Sequence, residues 1–327
     1  MLHRCKSLLA LVAALSFGAV AAFARSAGPG TLNYIEGSVS LNGRGVESTS
    51  SGSVQAGANQ TVATSQGKVE VLLTPGVFLR LGDHSSMRMQ SSSLTDTRVQ
   101  LLSGRAMVEA TEVLKENNLQ VVEDGAATRL VKHGLYFFNA DQANVAVYDG
   151  EAIVIAGDQQ FKVKKGHEAV LANAAVEVRK FDRDKAHDEL FAWSKLRSQY
   201  LAEAGAEYAS TVYAGAGWWY GPGWYWNPWW DMYSFIPGDG ILYSPFGWPF
   251  YSPVVVYRAP GFYRGFYGGR FHTGAVGAVH GTPGVRSGTF GRAPVAHMGG
   301  GGFHGGFAGG GVHGVGGGGF HGGGGRR

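Results

Sequence analysis

An all-β fold of two related sandwich or roll units, followed by one amphipathic helix, is what this sequence predicts. Three observations carry the prediction. Short β-rich runs recur every few residues between positions 30 and 180, a ten-residue pattern is repeated within them, and the apolar period changes at Asp182.

The first element precedes the fold. "MLHRCKSLLALVAALSFGAVAAFARS" has a positive start in Arg4 and Lys6, an apolar stretch from Ser7 to Val20, and Ala22-Phe23-Ala24 as a small-residue cleavage site. It reads as a secretory signal over 1–24, with an uncleaved anchor as the rival, because the apolar run is near the lower limit of a span, about 17 residues. No later segment is long and apolar enough to span a membrane. The single cysteine, Cys5, lies in this leader. The mature chain would then hold no disulfide or cysteine-based metal site, and an exported chain without disulfides points to a bacterial envelope, periplasmic or secreted.

The body follows. "VEVLL" at 69–73, "VFLRL" at 77–81, "VQLL" at 99–102 and "RAMVEA" at 105–110 are strand-like. So are "GLYFF" from 134, "NVAVY" from 144, "EAIVIA" from 151 and "FKVKK" from 161. Gly, Asp, Asn and Ser clusters separate them, and the short spacing favours an all-β sandwich or roll over α/β. "VQLLSGRAMV" at 99–108 echoes "VAVYDGEAIV" at 145–154, 46 residues later, with a fainter copy in "YIEGSVSL" at 34–41. Gly37, Gly104 and Gly150 stand at the turn of each copy, where Ser-Gly and Asp-Gly suit a tight hairpin. Two halves, about 30–110 and 118–180, are expected.

These residues resemble the FecR-domain family. The likeness rests on "GSVSLNGRGV" at 37–46, on Ala63 to Gly67, Pro75 to Gly82 and Gly104 to Val108, and on "FKVKKGHEAVL" at 161–171. It covers about half the chain, and its motifs are turn glycines and strand residues, which speak to fold more than to activity. The resemblance implies a link to sigma-factor regulation, since the best-known relatives are inner-membrane regulators with a cytoplasmic arm. Here six residues precede the apolar stretch, so the chain looks like an exported, stand-alone form.

From Asp182 apolar residues recur every three or four positions, predicting a helix over 183–208 whose Leu190, Trp193 and Leu201 face the body. "GWWYGPGWYWNPWWDMY" at 217–233 then concentrates six of the eight tryptophans. Six prolines between 222 and 253 forbid a continuous helix over 212–257. Trp218, Trp219, Trp224, Trp226, Trp229 and Trp230 come too densely for all to face solvent. Packing on body and helix is the first reading, and the exposed remainder would contact a partner or polymer, with membrane-interface insertion third. Beyond Arg258 the chain is rich in glycine and too poor in apolar groups to fold, so 258–327 is expected to be disordered.

Charge is divided. Seven arginines and no acidic residue lie from Arg258 onward, while the rest carries 21 basic and 24 acidic groups, a net of −3. Arg264 and Arg270, interleaved with phenylalanine and glycine, suit an anionic envelope polysaccharide or another envelope protein; export makes nucleic acid an improbable partner. His304, His313 and His321 are weak metal candidates on a flexible chain. Asp83-His84-Ser85 cannot form a triad, because consecutive residues do not face one another in that geometry. No catalytic constellation and no cofactor is implied, and the expected function is a non-enzymatic envelope binding or scaffolding protein, with sigma-linked signalling and cell-wall binding as alternatives.

Overall fold

The computed structural model describes residues 27–172, 175–213, 215 and 219–258. The chain divides into two units, Met1–His272 and Thr273–Arg327. The expected leader, the expected tail from 259 and the second unit lie outside the described residues.

The described chain is all-β with one long helix. Fifteen strands form one large, nearly closed sheet. A bent hairpin of β1 (Leu32–Leu41) and β3 (Thr61–Leu72), with the short β2 (Arg44–Val46) on β1, runs through its centre. Thr61–Ala63 of β3 pairs with β5 (Ser86–Ser93), and Val69–Leu72 pairs with β4 (Val77–Leu81). The bend falls where Gly37 lies opposite Gly67. Gly37 has φ +67°, and a Cβ there would stand 2.8 Å from the Cα of Gly67, so the two backbones approach too closely for side chains.

Two wings extend from this hairpin. One runs outward through β5, β6 (Asp96–Ser103), β8 (Gln120–Glu123), β9 (Ala126–Leu130), β12 (Glu151–Ala156) and β13 (Gln159–Lys164). The other runs through β4, β7 (Arg105–Ala110), β10 (Gly134–Asn139), β11 (Asn144–Asp149), β14 (His167–Ala172) and β15 (Ala175–Lys180). Both wings contribute to one apolar core, with Val99, Val121 and Val154 from the first and Leu79, Val108 and Phe138 from the second.

The expected halves are therefore not separate sheets. Strands of 118–180 flank those of 30–110 at both ends. Nor are the echoed glycines hairpin turns. β6 and β7 do not pair with each other, and neither do β11 and β12. Gly104 and Gly150, at φ +72° and +92°, are corners that carry the chain from one wing to the other. A Cβ on Gly104 would lie 2.7 Å from the His84 carbonyl oxygen, and one on Gly150 would lie 2.6 Å from that of His133. Positive φ serves a corner as well as a hairpin, and only the partners of the flanking strands distinguish them.

In the first wing Glu123, at the end of β8, is fully buried beside the Asp124–Gly125 turn, opposite Ala126. Neither carboxyl oxygen has a hydrogen-bond partner, and nor does the buried hydroxyl of Thr128 on the same hairpin. Burial, with a contribution from the charge of Asp124, pushes the Glu123 carboxyl up to about 8.

Helix α1 (Glu189–Tyr213) begins later than the periodicity predicts and runs past 208. Asp188 caps it, its side chain accepting from the Phe191 N–H at 2.8 Å. Just before, Asp182 accepts from the N–H groups of Asp184 and Lys185, which holds 182–185 as a turn. The helix packs on the outer face of the second wing, burying Leu190 with Met107, Leu135 and Tyr148, and Leu201 with Leu72 and Phe78. The aromatic segment then folds as β16 (Gly223–Asn227) with β17 (Met232–Ile236), β18 (Ile241–Tyr243) with β19 (Pro249–Tyr251), and the short α2 (Pro253–Arg258).

Candidate binding surface

The helix is fixed to the sheet by a buried polar cluster. Glu70 on β3, Arg80 on β4 and Glu109 on β7 are neighbours across the second wing and fully buried. Arg80 donates from Nε to Glu70 at 2.9 Å and from Nη1 to Glu109 at 2.6 Å. These three groups leave one excess negative charge, and α1 supplies its complement. Arg197 donates from Nη2 to Glu70 at 3.0 Å, and the Ser198 hydroxyl donates to Glu109 at 2.6 Å. Asn33 joins Glu70 to the backbone of Tyr233 on β17, donating at 3.0 Å to both and accepting from the Tyr233 N–H at 2.7 Å. Burial alone would raise the Glu70 carboxyl, but Arg197 and Arg80 outweigh it and hold Glu70 below the usual range. Burial wins at Glu109, which is raised despite Arg80. Sheet, helix and aromatic segment are thus locked by one network.

Above this lock, most of the aromatic segment is packing. Phe78 of β4 meets Trp224 edge-on, with ring centres 5.0 Å apart, and Phe235 and Phe250 complete the cluster. Trp219 and Trp224 are half-buried, with indole N–H groups that are buried and unpartnered. Trp226 stands edge-on to Tyr233 and occupies the space a side chain at Gly52 would need. The packing expectation therefore fits the described residues, with a specific remainder at the surface. Trp229 is 72% exposed. Trp230 is half-buried, its Nε1 donating to Glu207 at 2.6 Å, its ring 5.9 Å from that of Tyr200.

Tyr200 belongs to a flank of α1 that the sequence reading did not single out. At 100° per residue Trp193, Leu196, Tyr200, Glu203 and Glu207 fall on one side of the helix. Leu196 is 43% and Tyr200 36% exposed. Trp193 is half-buried and packs against the cluster of Leu190, Met107 and Tyr148, as expected, at the edge of the buried stripe. Its ring lies 6.2 Å from that of Tyr34, and its Nε1 donates to the exposed Glu36 at 2.9 Å. The buried stripe runs through Leu190, Ser194, Arg197, Ser198 and Leu201, so polar residues hid its true direction. Trp193, Leu196, Tyr200 and Trp230 thus form a largely aromatic strip edged by Glu36, Glu203 and Glu207, and the exposed Trp229 and Asp231 flank Trp230 in the chain. The only sequence signal was the i, i+3, i+7 spacing of Trp193, Leu196 and Tyr200.

Other sequence candidates lie elsewhere. Trp218, Arg264, Arg270, His304, His313 and His321 are outside the described residues. Asp83-His84-Ser85 is a turn, with the Ser85 hydroxyl donating to the Asp83 carbonyl and accepting from the Arg105 N–H. No group of three metal-ligating side chains occurs among the described residues, and no described helix is long and apolar enough to cross a membrane. A cleft of about 170 Å³ between Tyr148, Lys165, Arg183, His187 and Phe246 is smaller than most ligand sites, roughly 300–1,000 Å³.

No protein-family model matches the chain, and no curated protein matches it. Among solved structures, it is similar to two crystal structures of a "putative anti-sigma factor" from Parabacteroides distasonis ATCC 8503. Identity is 17% in both, over 41% of this chain and 64% of theirs, with TM-scores of 0.35 and 0.34. The chain thus spans less than two thirds of the chains it matches.

Proposed function

We propose that the chain is a non-enzymatic, exported FecR-like module whose β body carries a helix-mounted binding surface for an envelope component. The supporting observation is the aromatic strip. A tightly packed segment that sequesters Trp224, Phe235 and Phe250 nonetheless leaves Trp229 largely exposed. Exposed aromatic side chains on a fixed scaffold supply large contact area at small ordering cost, which is the composition of an interface centre. The leader is taken as the export signal, and the arginine-bearing segment from Arg258 as a second, electrostatic contact with anionic polymer.

Pull-down from bacterial envelope fractions with the full chain and with Trp229→Ala tests the reading. Specific recovery of an envelope polymer or surface protein, reduced by the substitution, is expected. Recovery of a sigma factor without any wall or surface component would favour the regulatory alternative. Equal recovery by both proteins would remove the strip from the function.

A further inference from the structure

We infer that the strip along α1 takes an uncharged, polyhydroxylated polymer, a neutral polysaccharide; this deepens the binding reading above and rests on it. Glu36 and Glu207 each spend one oxygen, Oε2, on an indole N–H, at 2.9 and 2.6 Å. The two outer tryptophans are therefore held by their edges while the second oxygen of each carboxylate remains an acceptor. Glu203 and Asp231 add further acceptors along the same border, although Glu203 also receives the Gln199 amide at 2.8 Å. The cations of α1 are elsewhere. Arg197 is buried in the network below, and Lys195 stands about 200° round the helix from Trp193.

Flat apolar faces bordered by ionised acceptors match one ligand chemistry best. A sugar ring presents C–H faces to the aromatic rings and hydroxyl donors to the carboxylates, where hydrogen bonds are charge-assisted. A polyuronate would bring like charge against four carboxylates, and so would an anionic lipid surface. An apolar peptide would cover the carboxylates without satisfying them, which is costly. Trp193, Tyr200 and the Glu207 that holds Trp230 succeed one another along the helix axis, and Trp193 and Tyr200 alone are about 10 Å apart along it. That layout suits several units of an extended chain rather than one small molecule.

The test measures binding of the full chain to a panel of soluble neutral glucans, mannans and galactans, to a polyuronate and to polylysine, at low and high salt. Neutral polymers should be retained at both salt levels. Trp229→Ala and Tyr200→Ala should each weaken that retention roughly three- to tenfold, the range expected for an aromatic contact. Tyr200→Phe, which keeps the ring, should bind as the parent does. The polyuronate, which the arginine-rich segment can hold, should be lost in high salt and be indifferent to these substitutions. Failure to bind any neutral polymer would overturn the inference. If the Trp229→Ala defect on envelope material persisted in that case, the broader binding reading would stand. Retention on polylysine that falls with Trp229→Ala would overturn the inference in favour of a basic partner.

Discussion

Replacing Glu123 by glutamine should change how stability depends on pH more than stability itself. The carboxyl is fully buried with both oxygens unpartnered, and its folded value is about 8 against 4.5 when solvated. Below pH 4.5 the group is protonated in both states and costs nothing in ionisation. Between 4.5 and 8 the unfolded chain releases the proton while the folded chain keeps it, so stability falls as pH rises, by about 1.4 kcal/mol per unit. Above 8 the loss levels off near 5 kcal/mol, and about 3 kcal/mol of it accumulates between pH 5 and 8. Glutamine does not titrate. The gap between Glu123→Gln and the parent should therefore widen in the variant's favour by roughly 3 kcal/mol across that range, or on the order of 6–12 °C in midpoint. Whatever the buried amide costs is the same at every pH and cancels in this difference. Thermal unfolding of both proteins followed by circular dichroism at half-unit steps is the assay. Parallel midpoint curves from pH 5 to 8 would refute the reasoning, because they would mean that Glu123 is hydrated or paired in solution.

Two further outcomes follow from the fold. Arg197→Ala removes the charge that completes the cluster and leaves Glu70 and Glu109 sharing Arg80 alone, so denaturant unfolding should show a loss of about 3–5 kcal/mol. An unchanged midpoint would mean the helix is not locked as described. Gly150→Ala forces a side chain into φ +92° against the His133 carbonyl and should cost about 1–3 kcal/mol. Gly43→Ala, at φ +77° in open space, should cost less, and equal losses at the two positions would deny the crowding at the corner.

The all-β class and the single helix were legible because both depend on periodicity, and "FKVKK" or "VFLRL" carries its period locally. The corners at Gly104 and Gly150 were visible only as positive-φ sites. Whether β6 returns on itself or crosses to another wing is decided by β8 and β10, which lie later in the chain. The binding surface was half legible. Tryptophan density pointed to the right segment and a packing limit to its burial, but nothing local told Trp229 from Trp224. The α1 flank escaped because Arg197 and Ser198, polar in sequence, belong to the buried face. Arg197 and Ser198 are buried against Glu70 and Glu109, 127 and 89 residues away, and no short window contains those partners.

The interleaving of the wings has a consequence for the order in which this protein can be completed. As a chain emerges from its N-terminus, β6 and β7 become available together on either side of Gly104, each with one open edge. Those edges wait for β8 and for β10, and the outermost strands follow only by residue 180. Even then Glu70 and Glu109 share a single arginine until α1 arrives. An unfinished chain thus exposes two unpaired strand edges and an uncompensated carboxylate, both of which favour aggregation or remaining unfolded over a stable partial body. Completion of the body accordingly requires residues as far as Ser198, and a chain held extended until Ser198 has emerged would avoid these half-built states.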